Sequence, residues 1–234
     1  MSENQLLGKI MPKTTYILLL IIVSSVYVTG CEETKKEEPY PVVTSKYLKK
    51  PNISDKPLPT MKLIKHYDVI SVHSCESLFK KLGEFKLVET PNNLKIFWDY
   101  IPCVAGKLLD KAKSSQQSAY NNNFQAIILE DLDLLSFNSS LRPQLSKTTN
   151  TFKTLGFKIS NNDNTVVLFE TKDWKFQWTL LARGDFNADG IEDLLVRFLD
   201  QAKTSNYFSA QLLILQSNDT DKPWSAKPGL QLLK

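Results

Sequence analysis

From Trp174 to Ala182 the side chains alternate. Trp174, Phe176, Trp178, Leu180 and Ala182 fall on one side, and Lys175, Gln177, Thr179 and Leu181 on the other. Successive side chains of a strand point to opposite faces, so this period of two, aromatic on one face, reads as a strand that buries one side. The alternation returns in Leu194, Val196 and Phe198 and again in Phe208, Ala210, Leu212 and Ile214. Two earlier stretches, residues 152–159 and 165–170, flank the turn-rich Asn161-Asn162-Asp163-Asn164. Sequential strands joined by short turns imply an antiparallel meander of about five strands. The Trp174/Phe176/Trp178 stripe reads as core, with a carbohydrate-binding platform as the other reading of such a stripe. Its aromatic face needs a cover, which helices upstream are expected to supply.

Those helices follow from a change of period. Residues 75–82 place apolar groups at i, i+3, i+4 and i+7 and end before Gly83, which predicts a helix. A second, over residues 92–113, carries Leu94, Phe97, Trp98, Ile101, Val104, Leu108 and Leu109 near one side. Pro102 is expected to kink or split it, because proline removes a backbone donor. Residues 125–135 fit a buried strand through Ala126-Ile127-Ile128-Leu129 and a helix through Leu129, Leu132 and Leu135. The expected class is therefore α+β, a helical N-terminal part packed on the C-terminal meander, in one globular domain over residues 61–234.

Between the two clearest strands lies Gly184-Asp185-Phe186-Asn187-Ala188-Asp189-Gly190-Ile191-Glu192-Asp193. Counted from Asp185, oxygen-bearing side chains fall at positions 1, 3, 5 and 9, with Gly190 at position 6. Ca²⁺ takes roughly 6–8 oxygens at about 2.3–2.6 Å, and alternate residues of a tightly curled loop can aim theirs at one centre. Asp185, Asn187, Asp189 and Asp193 are the candidate side-chain ligands, and Ile191 would add its carbonyl. The loop resembles the calcium loops of FG-GAP and VCBS repeats, in which a Gly-Asp-Phe-Asn/Asp-x-Asp-Gly-x-x-Asp segment joins two strands. The resemblance implies a bound Ca²⁺ as cofactor. It covers one loop, and those repeats build propellers in tandem, so neither a propeller nor integrin-like ligand binding carries over. Glu192 and Val196 depart from the EF-hand pattern. The alternative for the same residues is an Asx-turn hairpin without an ion.

The N-terminus specifies an address. Lys9 and Lys13 precede an apolar run from Tyr16 to Val23, and Val28-Thr29-Gly30-Cys31 closes the stretch. A positive region, a short apolar region and small residues at the cut describe a secretory signal. The closing residues resemble the bacterial lipobox, which implies cleavage after residue 30, lipidation of Cys31 and anchoring to the membrane through that lipid. An uncleaved spanning helix is the alternative, but it needs roughly 20 apolar residues. Met11-Pro12-Lys13 offers a second start for the same mature chain. Glu32 follows Cys31 where the inner-membrane retention signal of enteric lipoproteins is Asp. The outer membrane of a bacterial envelope, facing the periplasm or the cell surface, is thus the expected residence. Residues 31–60 mix charge with prolines and read as a flexible tether. Tyr40, Val42, Val43 and Tyr47 could instead dock as a strand.

Past residue 30 the chain carries 27 basic and 24 acidic side chains, a charge of +3. Such a balance supplies no basic face for nucleic acid. Export places Cys75 and Cys103 where disulfides persist, and with Cys31 lipidated they are left to pair. His73-Ser74-Cys75 with Cys103 lacks the paired spacing of structural zinc sites. No Gly-x-Ser-x-Gly, His-Glu-x-x-His or P-loop sequence is present, and Glu130, Asp131 and Asp133 read as an acidic face. The expected function is that of a non-enzymatic envelope lipoprotein with a structural Ca²⁺. A polysaccharide- or protein-binding module is the alternative, and a hydrolase the third.

Overall fold

In a computed structural model, which describes residues 39–46, 48, 57–161, 163–217 and 223–233, the alternating stretch lies inside an eleven-residue strand. The signal, Cys31 and most of the tether lie outside the described residues. In chain order the elements are β1 (Val43–Thr44), β2 (Met61–Lys65), β3 (Asp68–Val72), α1 (Cys75–Lys81), β4 (Lys86–Leu87), α2 (Pro91–Leu109), α3 (Phe124–Ala126), β5 (Val166–Glu170), β6 (Trp174–Gly184), β7 (Asp193–Ala202), β8 (Phe208–Gln216) and β9 (Ser225–Pro228). The class is mixed α+β, and β5 to β9 form an antiparallel meander.

β1 completes the main sheet. It pairs antiparallel with β6 at Ala182 and Arg183, beyond the stretch of β6 that β5 occupies. The expected tether is thus docked at Val43 and Thr44, and Tyr40 bridges Ser115 in both directions at 2.7 and 2.9 Å. Val42 packs so close to Gly184 that a Cβ there would stand 3.1 Å from its Cγ2.

The N-terminal part is not purely helical. β2 and β3 form a hairpin that pairs with β4 into a second, three-stranded sheet in the order β3-β2-β4. Ser74 opens α1 with a capping box shared with Ser77. α2 starts at Pro91, where a missing N–H costs nothing, and runs through Pro102 as one helix rather than two. It ends at Leu109, short of Lys113. Cys75 of α1 and Cys103 of α2 stand at disulfide distance, with their Cα atoms 5.7 Å apart.

The main sheet is buried on both faces. Phe97, Tyr100, Ile101, Val104 and Leu108 of α2 pack with Met61 and Leu63 of β2 against Leu181, Leu195, Leu212 and Ile214. The aromatic face, expected to lie under these helices, is covered instead by residues 124–157. Phe137 meets Trp178 edge-on at 5.5 Å, Phe152 stacks on Phe169 at 4.1 Å, and Trp178 stacks on Phe198 at 4.2 Å. The covering segment is irregular. α3 passes into a π turn over Ile127–Asp131, closed by Leu132 N–H donating to Ile127 O at 2.8 Å. Residues 152–159, expected as a strand, form turns with one isolated bridge from Ile159 to Phe169. A bulge at Leu181 turns Leu181 and Ala182 onto the α2 face, so Ala182 leaves the aromatic stripe.

Candidate functional site

Loop 185–193 joins β6 to β7, the two central strands, and folds on its own carboxylates. Asp185 is 4 % exposed. Its Oδ1 accepts from Ala188 N–H at 2.6 Å and its Oδ2 from Gly190 N–H at 3.0 Å. The Asn187 amide donates to Asp189 at 2.7 Å, while Asp189 Oδ1 accepts from Ile191 N–H at 2.8 Å. Asp193 opens β7, is 1 % exposed, and accepts from Phe186 N–H at 3.0 Å. Two residues carry the sharp turn in the left-handed region, Ala188 at φ 66° and Gly190 at φ 86°. Glycine meets that requirement without strain, whereas alanine pays for it sterically.

The segment after α2 clamps the loop from outside. Lys113 and Asp185 exchange backbone bonds at 2.9 and 3.0 Å, Gln116 N–H reaches Gly190 O at 2.7 Å, and Glu192 N–H reaches Gln117 O at 2.8 Å. Glu192 is itself 2 % exposed. It accepts a short hydrogen bond from the Ser118 hydroxyl and lies 3.8 Å from Arg183. The sequence marks Glu192 only as a departure from the EF-hand pattern. A carboxylate where the ladder begins was the signal that it has a buried partner.

The electrostatics of the loop are one-sided. Burial pushes Asp193 up to about 7, and the charges of Asp189 and Asp185 add to that, while the Phe186 N–H opposes it. Gln216, buried on β8, turns its side-chain amide toward Asp193 and opposes the rise, and among the described residues its Nε2 finds no acceptor within hydrogen-bond distance. Among the described residues none of Asp185, Asp189 and Asp193 is in an ion pair.

The donor set suits a hard cation in chemistry, being oxygen throughout. The side chains, however, lie in a self-capped arrangement, and among the described residues no group of three His, Cys, Asp or Glu stands close enough to hold a metal ion. A cation would have to draw Asn187 and Asp189 off each other and inward. The backbone N–H bonds to Asp185 and Asp193 can persist, since a carboxylate offers about four lone-pair sites.

The other singled-out residues lie apart from the loop. Trp174, Phe176 and Trp178 pack in or against the core. Glu130 pairs with Lys153 at 3.0 Å, and Asp133 caps Leu135 N–H at 2.9 Å. His66 sits in the β2–β3 turn, while His73 leads into α1. A groove of about 600 Å³ lies elsewhere, lined by Phe85 beside β4, Leu87 on β4, Phe97 of α2, and Tyr207 and Gln211 beside and on β8. Among the described residues no helix is long and apolar enough to cross a membrane. Comparison of the chain with protein-family models, with curated proteins and with solved structures returned no match.

Proposed function

We propose that this chain is a lipid-anchored protein of a bacterial cell envelope in which loop 185–193 holds one structural Ca²⁺, with no catalytic role. The observation that carries the cation is charge without counter-charge. Two buried carboxylates, Asp185 and Asp193, share a short loop with Asp189, and no cationic side chain among the described residues pairs with any of them. Burying charge is costly unless it is paired. Asp185, Asn187, Asp189 and Asp193 would hold the ion through side-chain oxygens, and Ile191 through its carbonyl. Bound there, the ion supplies positive charge at the turn between the two central strands. The address rests on the sequence alone, on Lys9, Lys13 and the apolar run closed by Val28-Thr29-Gly30-Cys31.

Thermal melts test the cation. A ligand that binds only the folded state stabilises it by about 2.7 kcal/mol at a hundred times Kd. The melting temperature should rise with Ca²⁺ and fall with chelator, and Asp189→Ala should abolish the response. Mg²⁺ should do less, because its rigid octahedral demand suits a curled loop poorly. A melting temperature indifferent to both Ca²⁺ and chelator would leave the self-capped hairpin as the whole account.

A further inference from the structure

One buried group beside loop 185–193 has no partner of its own. Gln216 ends β8 and is 3 % exposed, yet among the described residues its Nε2 finds no acceptor within hydrogen-bond distance. The large majority of buried side-chain polar atoms are hydrogen-bonded, so an orphaned one calls for a reason. The ladder fixes where this amide stands. Leu194 faces Leu215 across β7 and β8, and one step further the same register sets Asp193 opposite Gln216. Directly opposed residues of an antiparallel pair share a face, with Cβ atoms about 4.5–5.5 Å apart. On its other side β8 is bonded to β9, where Gln216 pairs with Ser225. The amide is thus held beside the carboxylate by the sheet and not by the loop.

We propose that Gln216 is a positioning residue of the cation site, whose amide N–H donates to Asp193 and holds that carboxylate in place when the loop binds Ca²⁺. This role rests on the reading of loop 185–193 as a Ca²⁺ site. Phe186 N–H, Asp185 and Asp189 act on Asp193 from within the loop, and Gln216 acts on it from outside. Asp193 accepts from Phe186 N–H at 3.0 Å, and a carboxylate offers about four lone-pair sites. The ion, Phe186 and Gln216 can therefore share it. The residue type fits the same role. A lysine or arginine at 216 would neutralise Asp193 and leave no charge for a cation, while a leucine would offer the carboxylate nothing. A neutral amide directs the carboxylate and leaves its charge intact. Partners that hydrogen-bond a ligating side chain from outside the metal's own shell set its orientation in this way.

Titration of Ca²⁺ into the chelator-treated full chain tests it, with Gln216→Met as the variant that keeps length and burial but has no donor. The Kd should rise about 10–100-fold, the usual effect of losing such a partner. In chelator the variant should melt no lower than the unsubstituted chain, because what it loses there is an unpaired buried amide. With saturating Ca²⁺ it should melt lower. A loss of melting temperature that is equal in chelator and in Ca²⁺ marks a merely structural residue and overturns the proposal. So does an unchanged Kd, which leaves the cation itself standing, whereas an unsubstituted chain that gives no binding heat overturns both. Tb³⁺ in place of Ca²⁺ separates positioning from ligation, since its luminescence lifetimes in water and heavy water count the waters on the bound ion. That count should be the same in both proteins, and one extra water in Gln216→Met would make Gln216 a ligand instead. Should the variant fail to fold, NMR of the unsubstituted chain decides. The Gln216 side-chain amide signal should move downfield as Ca²⁺ saturates the loop, and a signal that stays in place would refute the role.

Discussion

Asp200 is a charge the sequence did not flag, and it shows how the interior handles a buried carboxylate that no cationic side chain among the described residues pairs with. It is 0 % exposed on β7 and accepts from Ser140 N–H at 2.7 Å, from the Ser140 hydroxyl at 2.7 Å and from the Tyr207 hydroxyl at 3.2 Å. Burial raises its pKa despite these donors. A carboxylate raised on folding binds its proton more tightly in the native state. Its stabilisation is therefore complete below the unfolded pKa, near 4 for Asp, and is lost as pH rises through the raised folded value. Asp200→Asn keeps an acceptor for Ser140 N–H and Tyr207, and its amide can donate to the Ser140 oxygen. The stability of the wild type relative to this variant should fall with rising pH in denaturant titrations. Asp200→Ala strands three donors and should cost about 2–4 kcal/mol at neutral pH. At this scale the sequence showed positions rather than bonds. The spacing of Asp185, Asn187, Asp189 and Asp193 marked the loop, but not that Asp185 would cap Ala188 and Gly190. Glu192 and Asp200 stayed hidden because their partners, Ser118 and Ser140, are remote in sequence.

Elements were legible where one period ran long enough to outvote local exceptions. β6 and α2 are of this kind, with Pro102 tolerated because burial of Phe97, Tyr100, Ile101, Val104 and Leu108 outweighs a missing donor. The β2–β3 hairpin was missed because its turn is His66-Tyr67, without the Asn-Gly signature, and His66 takes a positive φ of 54° unaided. Residues 124–157 resisted because a cover needs apolar groups at the right points in space and no period at all. Phe152, fully buried among Phe157, Phe169, Phe176 and Trp178, anchors that cover. Phe152→Ala should cost about 3–5 kcal/mol, measured by denaturant unfolding. A bond between Cys75 and Cys103, which stand at disulfide distance, would close 28 residues across α1 and α2. In the chain-entropy model such a loop contributes about 3–4 kcal/mol. Replacing both cysteines by alanine should lower stability by that order, and added reductant should have no further effect on the double variant. Free thiols at both positions in non-reducing peptide mapping would contradict the pairing.

At the scale of the whole described unit, the arrangement is a six-stranded sheet covered on one face by α2 and the small sheet and on the other by an irregular aromatic layer. The pattern of β6 to β8 showed that such a sheet exists. Which segment covers which face lay beyond it, because Leu180-Leu181, Leu194-Leu195 and Leu212-Leu213-Ile214-Leu215 are apolar on both faces and periodicity carries no address. The anchor is tested at this scale too. Intact-mass analysis of the protein from membranes should show residues 1–30 removed and Cys31 acylated, and Cys31→Ser should leave the larger precursor. An unmodified Cys31 would remove the membrane from the account. The central claim, a cation held by loop 185–193, is tested most directly by calorimetric titration of Ca²⁺ into chelator-treated protein. The account requires binding heat with one site per chain, abolished by Asp185→Ala. The absence of binding heat in the unsubstituted protein, or heat that survives in Asp185→Ala, would contradict it.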